Sequence, residues 1–145
     1  MFSKRSVGMA VASVLSIAGA VFAAPAPAMA IDFEHNYVTA SSAPTGSLKC
    51  NEIIGARVCF KADGDIWYVK DMAADSASAE IVWNVYDAKA NLTRYGKCTN
   101  NLGNGTWGYC NKNYLEGLHV SGMIQILDYS NGKLVRQSLA APYAN

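Results

Sequence analysis

The 145-residue sequence lacks the motifs of the common catalytic sites. It has no Gly-x-Ser-x-Gly nucleophile elbow, no His-Glu-x-x-His zinc helix and no Gly-x-x-x-x-Gly-Lys-Ser/Thr phosphate loop. Only two histidines occur, His35 and His119. An enzymatic interpretation rests on His119 and scattered carboxylates, and a lone histidine on a strand is more often a surface residue. The sequence therefore predicts a protein that is not an enzyme and that uses no cofactor.

The sequence also lacks blocks of like charge. The chain has 12 Lys plus Arg and 11 Asp plus Glu, and Lys4 and Arg5 fall in the first few residues. Residues 31–145 therefore carry 10 basic and 11 acidic side chains, a net charge of −1. Without a basic block, the sequence has no electrostatic footprint for a nucleic-acid partner.

Long apolar runs are absent except at the N-terminus. Lys4 and Arg5 precede an uncharged run over 7–22, and the small residues of 28–30 (Ala-Met-Ala) fit a leader cleavage site. The run is shorter than the ~20 residues that cross a bilayer, which disfavours a membrane anchor. We expect residues 1–30 to be a cleaved bacterial signal peptide, so that the mature protein is secreted, has no membrane span and begins at Ile31.

Residues 31–145 are long enough for one domain and too short for two. The segment 31–49 is predicted to be a flexible N-terminal arm, because 39–47 is small, polar and broken by Pro44 and Gly46. A disordered arm and a loosely docked strand both fit this composition. Residues 50–145 form the predicted β-domain, with a tail at 140–145 that is expected to fray.

The mature chain has four cysteines: Cys50, Cys59, Cys98 and Cys110. An even number behind an export signal predicts disulfides, and four cysteines allow three pairings. We favour Cys50–Cys59 and Cys98–Cys110, because each pair is close in sequence and encloses turn residues. A metal site is disfavoured, since no Cys-x-x-Cys occurs and both histidines lie far from the cysteines in sequence.

No amphipathic helix pattern occurs outside the leader, and alternating apolar residues indicate strands. The predicted strands cover 56–61, 65–71, 80–87, 92–98, 106–110, 118–129 and 134–139. Asp63-Gly64 and Asn131-Gly132 predict hairpins, and the stretch 98–110 predicts a β-turn-β element closed by its two cysteines. About seven strands at this spacing predict an all-β fold, either an antiparallel β-sandwich or a small barrel.

Three aromatic residues stand out near the Gly- and Asn-rich loop of 99–106: Trp107, Tyr109 and Tyr114. Rings that combine apolar area with a polar tip suit binding of an extracellular glycan or a protein surface. The alternative, which we favour, is that these rings shield the Cys98–Cys110 bridge.

Several runs carry a resemblance: 57–65 (RVCFKADGD), 69–71 (VKD), 95–98 (YGKC) and 105–110 (GTWGYC). Over about 56–117 the chain resembles small exported bacterial proteins with two disulfides and no assigned function. The resemblance implies export and local cysteine pairing, and it carries no catalytic or binding residues.

Two functions fit these observations. The first is binding at or outside the cell surface through the region of Trp107, Tyr109 and Tyr114. The second is inhibition of a secreted hydrolase or protease by the loop 99–106, which Cys98 and Cys110 would brace.

Overall fold

The structure is a computed structural model that describes residues 30–144. The predicted leader, 1–30, lies outside the described residues except for Ala30. Residues 30–144 contain eleven strands: β1 (Phe33–Tyr37), β2 (Thr39–Ser41), β3 (Lys49–Ile53), β4 (Ala56–Lys61), β5 (Ile66–Asp71), β6 (Ser78–Tyr86), β7 (Leu92–Asn100), β8 (Trp107–Asn111), β9 (His119–Asp128), β10 (Lys133–Gln137) and β11 (Ala141–Ala144).

The strands form two sheets that pack face to face. The six-stranded sheet has the order β1-β7-β6-β9-β10, and β11 also pairs with β9. The five-stranded sheet has the order β2-β8-β5-β4-β3. All pairings are antiparallel except that of β1 with β7. Of the two predicted architectures, the fold is therefore the β-sandwich.

The core lies between the sheets and follows from alternation along the strands. In β6, every second residue from Ala79 to Val85 is buried, including Ile81 and Trp83. Trp67 of β5 enters from the opposite sheet, and both tryptophans are 0% exposed. A period of two places these side chains on the inner face and leaves polar residues such as Asn84 outside.

Both predicted hairpins are confirmed. A turn over 62–65 joins β4 to β5, where Gly64 (φ +90°) and Asp65 (φ +52°) adopt the left-handed conformation. A turn over 129–132 joins β9 to β10, with Gly132 at φ +70°. Gly, Asp and Asn tolerate positive φ better than other residues, which is why Asp-Gly and Asn-Gly predict chain reversals.

The two favoured disulfides are confirmed, but the predicted β-turn-β element at 98–110 is not. Cys50 and Cys59 are directly opposed on β3 and β4. Cys98 lies on β7 of the six-stranded sheet and Cys110 on β8 of the five-stranded sheet. The intervening loop therefore crosses between sheets, and the second bridge links the two layers through the core.

Both ends of the described chain form paired strands, where the sequence suggested a fraying tail and an arm that is either disordered or a loosely docked strand. The segment 31–49 contains β1, which pairs with β7, and β2, which pairs with β8. Val38 between them is buried, so the chain crosses from one sheet to the other there. At the C-terminus β11 pairs with β9 and buries Tyr143. Ladder hydrogen bonds and these buried side chains offset the chain entropy that composition alone emphasises.

Candidate functional site

Strand β8 holds two of the predicted binding residues on the outer face of the five-stranded sheet. Trp107 and Tyr109 alternate with Gly108, which faces inward where a side chain would collide with Val38. Trp107 lies opposite Lys70 and Tyr109 lies opposite Tyr68 on β5. Both β8 rings are half-buried, so part of each faces solvent.

A segment that we call the strap, residues 42–48, crosses this outer face. It leaves β2 at one edge of the five-stranded sheet and enters β3 at the other edge. Pro44 and Leu48 are half-buried, whereas the other strap residues are exposed. The strap therefore rests on the sheet through two apolar side chains and divides its outer face.

A cleft opens on each side of the strap. The first has a volume of about 340 Å³, and the Cys50–Cys59 bridge contributes to its wall. Its other principal side chains are Trp107, Lys70, Arg57 and Glu52. The second cleft has a volume of about 450 Å³ and is lined by Tyr109, Tyr68, Lys61 and Asn111. Each cleft thus combines an aromatic ring, a lysine and a polar or oppositely charged side chain.

The rings are held by neighbours on β5. The Lys70 ammonium lies 5.9 Å from the centroid of the Trp107 ring, within the range of a cation–π contact. The Tyr68 and Tyr109 rings are tilted, with centroids 6.2 Å apart. Pre-positioned rings with a free face are suited to contact an apolar ligand surface at low entropic cost.

The structure separates Tyr114 from the other two aromatic residues. Tyr114 is 6% exposed and packs between the sheets, 5.4 Å from Trp83 between ring centroids. Its hydroxyl accepts a hydrogen bond from Trp67 Nε1 at 3.0 Å. Burial raises the pKa of Tyr114 far above its usual value, so it stays neutral. Tyr114 is a core residue and does not take part in the clefts.

The sequence suggested that Trp107 and Tyr109 shield the Cys98–Cys110 bridge, but in the structure they do not. Along β8, Trp107 and Tyr109 point outward, whereas Cys110 points into the core toward Cys98. The bridge near Trp107 is Cys50–Cys59, which lies in the wall of the first cleft. The Cys98–Cys110 bridge is covered instead by the buried side chains of the core.

A polar cluster on the outer face of the six-stranded sheet was not anticipated. Glu80 is 1% exposed, and its Oε2 accepts hydrogen bonds from Tyr129 Oη (2.6 Å) and Thr99 Oγ1 (2.8 Å). Lys97 Nζ lies 3.5 Å from the same oxygen. His35 Nε2 is 3.1 Å from Thr99 Oγ1. Alternation puts Glu80 on the outer face, but its partners come from β1, β7 and the β9–β10 turn, which sequence spacing does not reveal.

The Thr99 hydroxyl links the Glu80 carboxylate to the His35 imidazole. It donates to Glu80 Oε2, and its Oγ1 lies 3.1 Å from His35 Nε2. Burial and the Lys97 ammonium lower the pKa of His35, and the Glu80 carboxylate offsets part of this effect. The cluster fastens β1 to the sheet.

A second polar cluster lies beside β1 at an edge of the two sheets and contains Glu34, Arg94 and Lys112. Arg94 binds both carboxylate oxygens of Glu34, through Nε at 2.8 Å and Nη2 at 3.1 Å. The almost fully buried ammonium of Lys112 lies 3.2 Å from Glu34 and also donates to Asn36. Burial tends to raise the pKa of Glu34, but hydrogen bonds from Arg94 and Lys112 outweigh it and lower the pKa.

The two cations of this cluster differ. Hydrogen bonding to Glu34 raises the pKa of Arg94, whereas burial lowers the pKa of Lys112 despite the same carboxylate. We take Arg94 as the main ion-pair partner of Glu34, because it contacts both carboxylate oxygens. Glu34, Arg94 and Lys112 form a structural ion network, because the two cations bind the carboxylate and Arg94 also binds the backbone carbonyls of 112–113.

The remaining candidates are isolated. His119 is exposed on β9 opposite Tyr86 and lines neither cleft. Among residues 30–144, no three His, Cys, Asp or Glu side chains are grouped so as to hold a metal ion. In the same part of the chain no helix has the length and apolarity needed to cross a membrane.

Comparison with known proteins gives no relative to transfer a site from. Neither family models, nor curated protein sequences, nor solved structures produced a match to this chain. The candidate site therefore rests on the geometry of the two clefts.

Proposed function

We propose that the protein is secreted and binds an extracellular glycan through the outer face of its five-stranded sheet. The observation that carries this proposal is the placement of Trp107 and Tyr109 in two clefts on either side of the strap. The flat faces of sugar rings stack on such side chains, and nearby amide and charged groups bind hydroxyls. Two disulfides favour an oxidising, extracellular location.

Tryptophan fluorescence tests this proposal directly. Trp67 and Trp83 are fully buried, so a ligand in the first cleft changes chiefly the emission of Trp107. We expect soluble cell-wall fragments or oligosaccharides to shift this emission in a saturable way. Trp107→Phe should abolish the signal from the cleft while the emission of the two core tryptophans remains.

A pair of matched tyrosine variants locates the surface. Tyr109→Ala should weaken binding at least about tenfold, as expected for a central aromatic contact. Tyr86→Ala removes a partly buried tyrosine ring from β6 of the six-stranded sheet, where it lines neither cleft, and should leave affinity unchanged. Equal effects of the two substitutions, or no binding by any glycan of the panel, would contradict the proposal.

A second candidate function, protease inhibition, is favoured by the bracing of the loop between β7 and β8. The buried Asn100 side chain donates to Val69 O (2.8 Å) and Thr106 O (3.0 Å) and accepts from Leu102 N (2.9 Å). Leu102 itself is 41% exposed. A rigid loop with an exposed apolar residue at its tip can occupy a protease cleft without being released after cleavage.

Incubation with a panel of secreted proteases separates the two functions. An inhibitor should titrate one protease stoichiometrically, and Leu102→Ala should weaken that inhibition at least about tenfold. Leu139→Ala is the control, because Leu139 is 91% exposed and lies outside the loop. If every protease of the panel stays fully active at a molar excess of the protein, the inhibitor function is excluded for that panel.

A further inference from the structure

Basic side chains outnumber acidic ones in the lining of the two clefts, although residues 31–145 carry a net charge of −1. Arg57, Lys61 and Lys70 line the two clefts, and Glu52 is the one carboxylate among their lining residues. The charge of this lining therefore has the opposite sign to that of the mature chain as a whole.

These cations differ in how far they are neutralised. Arg57 lies 3.7 Å from Glu52, so this pair is largely self-compensating. Lys61 lies 3.9 Å from Asp63, whose side chain is 95% exposed, and solvent screens such a contact strongly. Among the described residues, Lys70 has no carboxylate within 4 Å, and its ammonium instead lies beside the Trp107 ring. Lys70 and Lys61 thus keep positive charge available for a ligand.

Each cleft contains an aromatic ring and a lysine. Trp107 and Lys70 lie side by side in the first cleft, on directly opposed positions of β8 and β5. In the second cleft, Tyr109 on β8 and Lys61 on β4 line the same cavity from strands on either side of β5. An aromatic ring next to a lysine fits a sugar ring that carries an anionic substituent, because the ring stacks while the ammonium binds the anion.

We infer that the ligand is an acidic glycan, whose sugar rings contact Trp107 and Tyr109 and whose anionic groups bind Lys70 and Lys61. This inference rests on the proposed function and narrows its ligand class. The anionic group is a carboxylate or a phosphodiester, since a lysine ammonium binds both as a point charge.

A panel of matched ligands tests the inference on the mature protein. The carboxylate arm compares oligogalacturonate with its neutral methyl ester, and the phosphodiester arm uses a glycerol-phosphate polymer bearing glucose. We expect at least one acidic ligand to bind at least about tenfold more tightly than neutral oligosaccharides. Its affinity should fall as salt rises from low to physiological ionic strength, because the contacts are exposed.

Lysine variants test whether acidic ligands bind at the outer face of the five-stranded sheet. Lys70→Gln and Lys61→Gln should each weaken acidic-ligand binding about two- to fivefold, the range of one exposed ion pair, and should leave neutral ligands unaffected. Lys89→Gln, in the exposed β6–β7 turn, is the matched control and should change nothing. Circular dichroism of each variant verifies that the fold is intact.

The outcomes separate this inference from the proposed function. Equal affinity for neutral and acidic glycans would overturn the inference and leave the proposed function in place. Acidic binding that survives both lysine substitutions, or that ignores Trp107→Phe and Tyr109→Ala, would overturn it as well. Absence of binding by every glycan, neutral or acidic, would overturn both.

Discussion

At the scale of single residues, Tyr114 shows how far position in sequence differs from position in space. It follows Trp107 and Tyr109 closely and sits in a polar connection, so the sequence groups the three rings. The structure pairs it instead with Trp67, 47 residues away. Only the closure of the two sheets brings these residues together, and no local pattern reports it.

Tyr114→Phe should therefore affect stability and leave ligand binding intact. The substitution keeps the ring but leaves Trp67 Nε1 buried without its partner, at a cost of about 1–3 kcal/mol. Urea unfolding of the oxidised protein measures the change. Tyr37→Phe, at an exposed position, should stay within about 0.5 kcal/mol of the parent. A loss of glycan binding without a loss of stability would place Tyr114 at the ligand after all.

Gly122 on β9 is explained by crowding between the two sheets. The register of β9 against β6 continues through it without a shift. A Cβ at this position would lie 2.7 Å from Ile81 Cδ1 and 3.3 Å from Trp67 Cη2. The absence of a side chain lets the two layers of the core approach each other.

Gly122→Ala should destabilise the protein by about 1–3 kcal/mol, because it overpacks a filled core. Ile81→Val removes the nearest atom and on its own should cost about 0.5–1.5 kcal/mol. The double variant should lose less than the two single losses combined, and denaturant unfolding of all three proteins measures this coupling. Strict additivity would show that the crowding at Gly122 has another source.

At the scale of elements, β1 is held by side chains as well as by its parallel ladder. Its outward side chain His35 reaches the Glu80 cluster, and its inward side chain Glu34 reaches Arg94 and Lys112. These two attachments hold β1 against the sheet, in a segment whose composition suggested either a disordered arm or a loosely docked strand.

The inner attachment should depend on pH. The pKa of Glu34 in the folded protein is below its ordinary value of 4.5, so folding favours the ionised carboxylate. Its stabilising contribution is therefore complete above about pH 4.5 and is lost as the pH falls through the lowered value. NMR of the β1 amides should show loosening of this strand in that acidic range.

Glu34→Gln provides the control, because an amide cannot titrate. The variant should have a less protected β1 at neutral pH, and its protection should lack the acidic step. A step of equal size in parent and variant would assign the pH dependence to other carboxylates.

At the scale of the whole molecule, the two disulfides close loops of similar length but have different surroundings. The sequence separations are 9 and 12 residues, for which chain-entropy arithmetic gives about 3 kcal/mol each. Cys50–Cys59 joins neighbouring strands at a cleft wall, whereas Cys98–Cys110 joins the two sheets within the core. Loop length alone therefore does not rank them.

Removing the bridge between the sheets should cost more. Cys98→Ala with Cys110→Ala should lose about 4–5 kcal/mol, because buried packing is lost together with the cross-link. Cys50→Ala with Cys59→Ala should lose about 2–3 kcal/mol. Denaturant midpoints of the two double variants provide the comparison, and equal losses would mean that core burial of the second bridge contributes nothing.

The sequence predicts the fold where its signals are local. Alternation in 80–87, the Asp63-Gly64 and Asn131-Gly132 turns and the spacing of the cysteines are each contained within a few residues, and the structure confirms them. The placement of Trp107 and Tyr109 on one face also follows from a period of two. The strap, the partners of Glu80 and the change of sheet between β7 and β8 depend on contacts far apart in sequence, which single-sequence patterns do not encode.

β1 and β2 pair with strands that lie far along the chain: Phe33 of β1 is opposite Tyr95 of β7, and Thr39 of β2 is opposite Tyr109 of β8. A ribosome releases the chain from its first residue onward, so these two strands emerge long before residues 92–111 exist. Until β7 and β8 have been made, β1 and β2 have no partner strand for their backbone hydrogen bonds. We therefore expect β1 and β2 to reach their native pairing only after β7 and β8 have been made.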